Sequence, residues 1–440
     1  MLMTMKREAM DTLVKWKSLE RRKPMIVYGL RQTGKTWLIE DFGKEHFKRT
    51  ITINLEDRRF HAAFDNITEP DTILRILSMI SDEQIDDTTL IFLDEIQECP
   101  NALSSLKYFY EKRPDVFVIA AGSLLGISTT QGRKFPVGKV DGMTLRPMNF
   151  REFLTALGKK DIADAIKEYD TKTIDPLSSV INGSLKEYML VGGMPEAVLT
   201  YVETKDILEV RKVQEALLDQ YRSNMSDHPP KSIILSMKAV WDSIPNQLSK
   251  DSGRKFTYSL MERKGGAAVY MTPILWLCNY GLLTMVPKIS KPGNPLAAYS
   301  DGRSFKLFAA DVGLICAKSR LDPRAILEGD RMFTEFKGML TEQFALQELV
   351  ANGHIPYYWS AENSDGEIDL VTESDGKTIP IEVKSSENLK AKSLSAFRDR
   401  YGMEVSVRTS LSGSRDEGWM VNIPLGAIGS LDTALRKRVN

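Results

Sequence analysis

The chain runs to 440 residues, more than one hydrophobic core usually organises, so it reads as a globular protein of roughly two to four domains. Lys plus Arg equals Asp plus Glu at 59 each, so bulk charge draws the chain to no polyanion, and any nucleic-acid contact has to come from a local basic face. Three scattered cysteines, Cys99, Cys278 and Cys316, exclude a disulfide framework and a zinc site, and no stretch approaches the roughly 20 apolar residues of a spanning helix.

The start, MLMTMKREAMDTLVKWKSLERRKP, carries charges where a secretory signal needs an apolar run, so the expected location is the cytoplasm, with no membrane partner. Short apolar strands then alternate with polar helical stretches through residue 150, the pattern of an α/β fold with a parallel sheet covered on both faces. Strands are predicted at Met25–Tyr28, Thr50–Leu55, Thr89–Leu93 and Val116–Ala120. From Asn149 to about Met225 the pattern turns helical, broken by Gly192, Gly193 and Pro195, and reads as a helical lid. Ser226–Pro230 breaks the chain before a small module of helices with a β-like tail, and an amphipathic helix then leads into a hairpin turning at Asp375-Gly376. The expected organisation is 1–150, 151–225, 226–325 and 326–440.

Met25-Ile-Val-Tyr28 runs straight into Gly29-Leu30-Arg31-Gln32-Thr33-Gly34-Lys35-Thr36 and then into a predicted helix from Trp37, the strand–loop–helix context a phosphate-binding GxxxxGK[ST] loop needs. Gly29 and Gly34 let the backbone wrap close to phosphates, and Lys35 supplies a mobile positive charge to the β and γ groups. The Thr36 hydroxyl is the expected Mg²⁺ ligand of a bound ATP. Thr89-Leu-Ile-Phe-Leu93 ends in Asp94-Glu95, an acidic strand tip in which Asp94 holds the metal and Glu95 polarises the attacking water. Ser123, after the strand at Val116–Ala120, is either a γ-phosphate sensor or a turn cap. Arg133 and Arg146 flank a predicted hairpin and are either arginine fingers or solvated surface charges.

With these residues on the page, GLRQTGKT, INLED, LIFLDEIQECP, AAGSLLG, FPVGKVDGMTLRPMNFREFL and VGGMPEAV resemble the prokaryotic AAA-type ATPases of the archaeal-ATPase-like group. FKLFAADVGLI and the EQFALQEL … GEIDLV … IPIEVKSS series resemble the domain that follows such modules, and the resemblance spans nearly the whole chain. It implies an AAA-type P-loop NTPase core, a winged-helix-like module and a C-terminal restriction-endonuclease-like α/β domain. The Walker residues map onto Gly29, Gly34, Lys35, Thr36, Asp94 and Glu95, and Trp37 departs from the small residue or Thr that commonly follows.

In the middle module Lys231, Lys238, Lys250, Arg254, Lys255, Arg263 and Lys264 outnumber nearby acids, the makings of a DNA-facing surface or of a solvated packing module. Near the C-terminus, Asp369 and Glu382-Val-Lys384 form a D…ExK pattern, with Glu342 on the preceding helix as a further acid. Side chains two apart share a strand face, so Glu382 and Lys384 point the same way, as PD-(D/E)xK nucleases require for a metal and an activated water. Alone, the same residues also describe a charged hairpin face. Two functions are expected to compete: an ATPase coupled to DNA binding or processing, and a nucleotide-dependent switch or scaffold; a homo-oligomer, a dimer or a monomer is compatible with either.

Overall fold

The computed structural model describes residues 5–123, 135–226, 229–248, 255–261, 265–323, 334–361, 366–385 and 391–439. One compact unit is built on Lys6–Arg146, with which Asn279–Gly281 group, and a second on residues 147–278 and 282–440.

In the first unit, strands β1 (Met25–Tyr28), β2 (Arg49–Asn54), β3 (Thr89–Asp94), β4 (Phe117–Gly122) and β5 (Asp141–Thr144) form a sheet in the order β2-β3-β4-β1-β5. All four pairings are parallel. Alternation sends Ile26, Ile51, Ile53, Ile91, Leu93 and Val118 to one face, against Leu77 of the helix Pro70–Ser81 and Leu106 and Phe109 of the helix Pro100–Lys112. Met25, Val27, Leu90, Phe92 and Ile119 go to the other, against Leu38, Ile39 and Phe42 of the helix Lys35–His46. Each such side chain contributes about 1.5–3 kcal/mol on burial, which explains why β1 and β3 read as unbroken apolar runs. Among the described residues before Arg146 the expected hairpin is not seen: β5 lies parallel to β1, from Met25 opposite Asp141 to Tyr28 opposite Thr144, where it covers an edge β1 would otherwise expose.

Apart from Asn279–Gly281, the segments read as 151–225, 226–325 and 326–440 fall within the second unit. Its strands are β6 (Leu283–Ile289), β7 (Ser300–Ala309), β8 (Tyr357–Ser360), β9 (Glu367–Ser374), β10 (Lys377–Val383), β11 (Ser406–Ser410), β12 (Arg415–Asp416) and β13 (Met420–Pro424). They form one mixed sheet in the order β12-β13-β11-β10-β9-β8-β6-β7. Because β6 pairs antiparallel with β7 and parallel with β8, the middle segment and the C-terminal segment share a ladder. The β9–β10 hairpin turns as expected: Asp375 at φ 46° and Gly376 at φ 76° are both left-handed, the type I′ geometry that Asp-Gly favours.

The helix Thr334–Ala351 was expected to be amphipathic, yet Met339 to Leu349 are buried on every side. Its polar residues stay inside because each finds a partner. Gln343 brackets Ala309, accepting from its N–H at 3.0 Å and donating to its carbonyl at 2.8 Å. Gln347 accepts from Val312 N at 2.9 Å and donates to Tyr188 Oη at 2.8 Å, and Glu348 accepts from Phe150 N at 2.8 Å.

Asp311 sits at the centre of this packing. Fully buried, it accepts from Gly193 N at 2.6 Å and Leu314 N at 2.9 Å, so one carboxylate satisfies two loop amides. The backbone comes close because the facing residues lack side chains: a Cβ at Gly193 would lie 2.0 Å from the Met148 carbonyl, and one at Gly313 2.5 Å from the Val191 carbonyl. Burial also explains the cysteines: the Cys278 and Cys316 thiols are pushed up to about 12. Among the described residues no helix is long and apolar enough to cross a membrane. Asp311→Ala is expected to destabilise the second unit by about 1–3 kcal/mol per amide left unsatisfied, and Gly193→Ala by a similar amount through overpacking. Denaturant unfolding of the two variants against the parent chain measures both losses.

Candidate nucleotide site

The C-terminal edge of the parallel sheet is where β1, β3 and β4 deliver their tips. β1 ends at Tyr28, and Gly29 follows in contact with the end of β5, where any Cβ would meet the Leu145 carbonyl at 2.4 Å. Gln32 at φ 64° and Gly34 at φ 84° are left-handed and turn the chain back on itself into the helix Lys35–His46. That helix has no side-chain cap and no acid in its first turn, so its leading amides are left without side-chain acceptors at the positive end of the helix dipole.

Lys35 is buried, and its ammonium donates to the Gly29 and Leu30 carbonyls, each at 3.1 Å. Burial lowers its pKa, partly offset by the charges of Glu95 and then Asp94, which places both acids around it. Thr36 Oγ1 donates to Asp94 Oδ2 at 2.8 Å, so the loop's hydroxyl and the β3 tip are already joined. Burial raises Asp94, against the Thr36 hydrogen bond and the Glu95 amide, which donates to Asp94 Oδ1 at 3.0 Å. Glu95 itself is left-handed at φ 49°, ψ 49°, which turns it out of the line of β3.

Of the other expected site residues, Leu30 and Thr33 are buried within the loop, Arg31 is half-buried, and Trp37 projects from the first helical turn with 38% of its surface exposed. Ser123 is buried one residue beyond β4, whose last residue, Gly122, lies opposite Tyr28. Arg133 lies outside the described residues. Arg146 follows β5 by two residues, and its backbone carbonyl accepts from Arg7 Nη2 at 2.6 Å.

Arg7 is a residue that sequence reasoning passed over. Its other terminal nitrogen donates to the Thr33 carbonyl at 2.8 Å, so one buried guanidinium ties the phosphate-type loop to the chain that follows β5. Gln97 is another: Nε2 donates to Glu95 Oε2 at 2.5 Å. Its place two residues beyond the acidic tip was the one available signal, whereas Arg7 sits in an ordinary basic run.

In the second unit, the structure brings together Asp369, Glu382 and Lys384. Asp369 Oδ2 accepts from Val383 N at 2.8 Å, and Glu382 Oε1 pairs with Lys384 Nζ at 2.5 Å. Glu382 is buried and its Oε2 has no partner among the described residues. Burial raises its pKa, Lys384 opposes this, and Asp369 adds to it. Glu342 is diverted. Its carboxylate pairs with the buried Lys306 at 3.0 Å, and Lys306 also holds Glu367 at 2.6 Å. The four-residue set therefore reduces to two carboxylates and a lysine, and the described residues contain no group of three or more His, Cys, Asp or Glu placed to hold a metal. Of the expected basic face, Lys231, Lys238 and Lys255 are described and Lys250, Arg254, Arg263 and Lys264 are not. The helix Ala267–Asn279 carries no charged residue and exposes Val269 and Leu275.

Arg7→Ala removes a charged donor from the Thr33 and Arg146 carbonyls, worth about 1.5–3 kcal/mol, and is expected to weaken nucleotide affinity by about tenfold, read by titration calorimetry.

Residues 21–154 match the family model of an AAA domain, residues 182–325 that of a domain of unknown function (DUF8612), and residues 337–426 that of another (DUF4143). A curated relative, the uncharacterized protein MJ1544 of Methanocaldococcus jannaschii, is 28% identical over 219 residues, 48% of this chain and 44% of that protein's own length. Among solved structures, the Walker-type ATPase paby2304 of Pyrococcus abyssi aligns over 71% of this chain and 95% of its own at 14% identity, with a TM-score of 0.43. The Orc1 protein of Aeropyrum pernix, solved in complex with DNA, aligns over 72% and 91% at 13% identity, with a TM-score of 0.28. Residues 21–154, with their parallel sheet and strand–loop–helix turn, have a P-loop NTPase fold and match an AAA domain, and they are joined in this chain to two segments that match domains of unknown function.

Proposed function

We propose that the chain binds Mg-ATP on the loop Gly29–Thr36 and hydrolyses it. The observation that supports this most directly is the Thr36 Oγ1–Asp94 Oδ2 bond of 2.8 Å beside the buried Lys35 ammonium. The loop amides and Lys35 cradle the phosphate oxygens, exchanging the Gly29 and Leu30 carbonyls for stronger, charge-assisted partners. Thr36 and Asp94 offer hard oxygens at one point, a donor set that fits Mg²⁺. Bound there, the ion would neutralise charge on the phosphates. Glu95 polarises the attacking water, and Ser123 lies at the end of a neighbouring strand from which a side chain senses the γ-phosphate. Arg146, like Arg133, is a cationic candidate within the same unit for offsetting transition-state charge; a second copy of the chain in a homo-oligomer is another source.

Turnover should disappear in Lys35→Ala and fall at least about a hundredfold in Glu95→Gln, with nucleotide still bound in the latter. EDTA should abolish turnover in the parent chain. A Lys35→Ala protein that hydrolyses ATP at the parental rate sinks the reading.

For the second unit we propose a nuclease-like fold at which ATP turnover is coupled to DNA. The support is the D…ExK arrangement, with the buried, unpartnered Glu382 Oε2 beside Asp369 fitting a divalent cation. A switch or scaffold reading is favoured by different observations: Lys306 takes Glu342 out of the acidic set, and the Ala267–Asn279 helix offers no charge to a phosphate backbone. DNA-stimulated ATPase activity, with Mg²⁺-dependent nicking lost in Glu382→Ala, supports the first. Neither effect, together with a nucleotide-dependent change in mass by light scattering, supports the second.

A further inference from the structure

We infer that Gln97 is a positioning residue for ATP hydrolysis, acting through Glu95; the inference rests on the ATPase reading above. A carboxylate only accepts hydrogen bonds, so the side-chain amide must present its NH₂ to Glu95, as it does at 2.5 Å from Oε2. That orientation leaves the Gln97 carbonyl oxygen buried with no partner among the described residues. A buried, unpaired carbonyl is unfavourable, so the contact to Glu95 is retained against an opposing effect within the same side chain.

The backbone serves the same arrangement. Glu95 is held in the left-handed region, a strained conformation for any residue other than glycine. The one-turn helix Ile96–Glu98 is closed by Glu98 N donating to the Glu95 carbonyl at 2.9 Å, and it carries Gln97 back over the residue it follows by two. Asp94 fixes the same residue from the other side by accepting its amide. Glu95 has three side-chain torsions and lies close enough to Lys35 to act on its ammonium. The tether to Gln97 removes that freedom and sets where the carboxylate stands when a water is to be deprotonated. Misplacing a reacting group by a fraction of an ångström to one ångström lowers a rate by about ten- to a hundredfold.

The test uses the full chain and four variants, E95Q, Q97L, Q97E and the double variant E95Q/Q97L, with steady-state ATP turnover and the affinity for a fluorescent ATP analogue measured for each. Q97L should lose about tenfold in kcat with affinity within about twofold of the parent, and Q97E, which sets carboxylate against carboxylate in an isosteric side chain, should lose more. In the E95Q background the Q97L change should have no further effect on kcat. A Q97L loss that persists undiminished in that background, an affinity that falls in step with kcat, or a Q97L or Q97E protein as active as the parent overturns the inference. If E95Q alone keeps parental turnover, the parent reading of Glu95 falls, and that single variant distinguishes this failure from the failure of the role given to Gln97. Should Q97L not fold, as judged by circular dichroism and thermal unfolding, the isosteric Q97E and its combination with E95Q carry the same comparison.

Discussion

The first unit depends on one turn. Between β1 and the helix Lys35–His46 the chain reverses through two left-handed residues, Gln32 and Gly34, and only that reversal points the helix's leading amides and the Lys35 ammonium back at the sheet edge. The turn is fixed from three sides. Gly29 is pressed on the Leu145 carbonyl, Arg7 grips the Thr33 carbonyl, and Thr36 is bonded to Asp94 across the sheet edge. The apolar faces of β1, β3 and β4 provide the rigid floor that lets side chains from separated stretches of sequence meet at hydrogen-bond distance.

Much of this unit was legible in the sequence, because its signals are local. The strand Met25–Tyr28 was read at its observed bounds, and β3 was read to within one residue. The glycine spacing and the acidic strand tip each lie within a single short window. What escaped needed distance or a partner. Arg7 meets the loop across 26 residues, and nothing in its own surroundings marks it off from Lys6 or Arg22. β5 was read as part of a hairpin because proximity in sequence favours antiparallel pairing, whereas the open edge of β1 took it as a parallel neighbour.

The second unit shows the converse. Its hairpin at Asp375-Gly376 was legible from turn chemistry, but the helix Thr334–Ala351 was not legible as a core helix, since its glutamines and glutamates imitate a solvated face. They are inside because loops from elsewhere bring amides and carbonyls to them. The same holds for the D…ExK residues: spacing paired Glu382 with Lys384, which the structure puts at 2.5 Å although Lys384 falls one residue beyond β10, yet it could not reveal that Lys306, from β7, would pair with Glu342. The VGG and ADVG stretches, conspicuous in the sequence without an evident use, meet at Asp311, where the glycines allow backbone to approach carboxylate.

The strand order β8-β6-β7 has a consequence for biosynthesis. During translation β6 and β7 are made well before residues 357–360, which pair with Lys288 and Ile289 on the free side of β6. Until then a row of amides and carbonyls on β6 stands open to any passing strand, so the nascent chain carries an adhesive margin that only its own later portion closes.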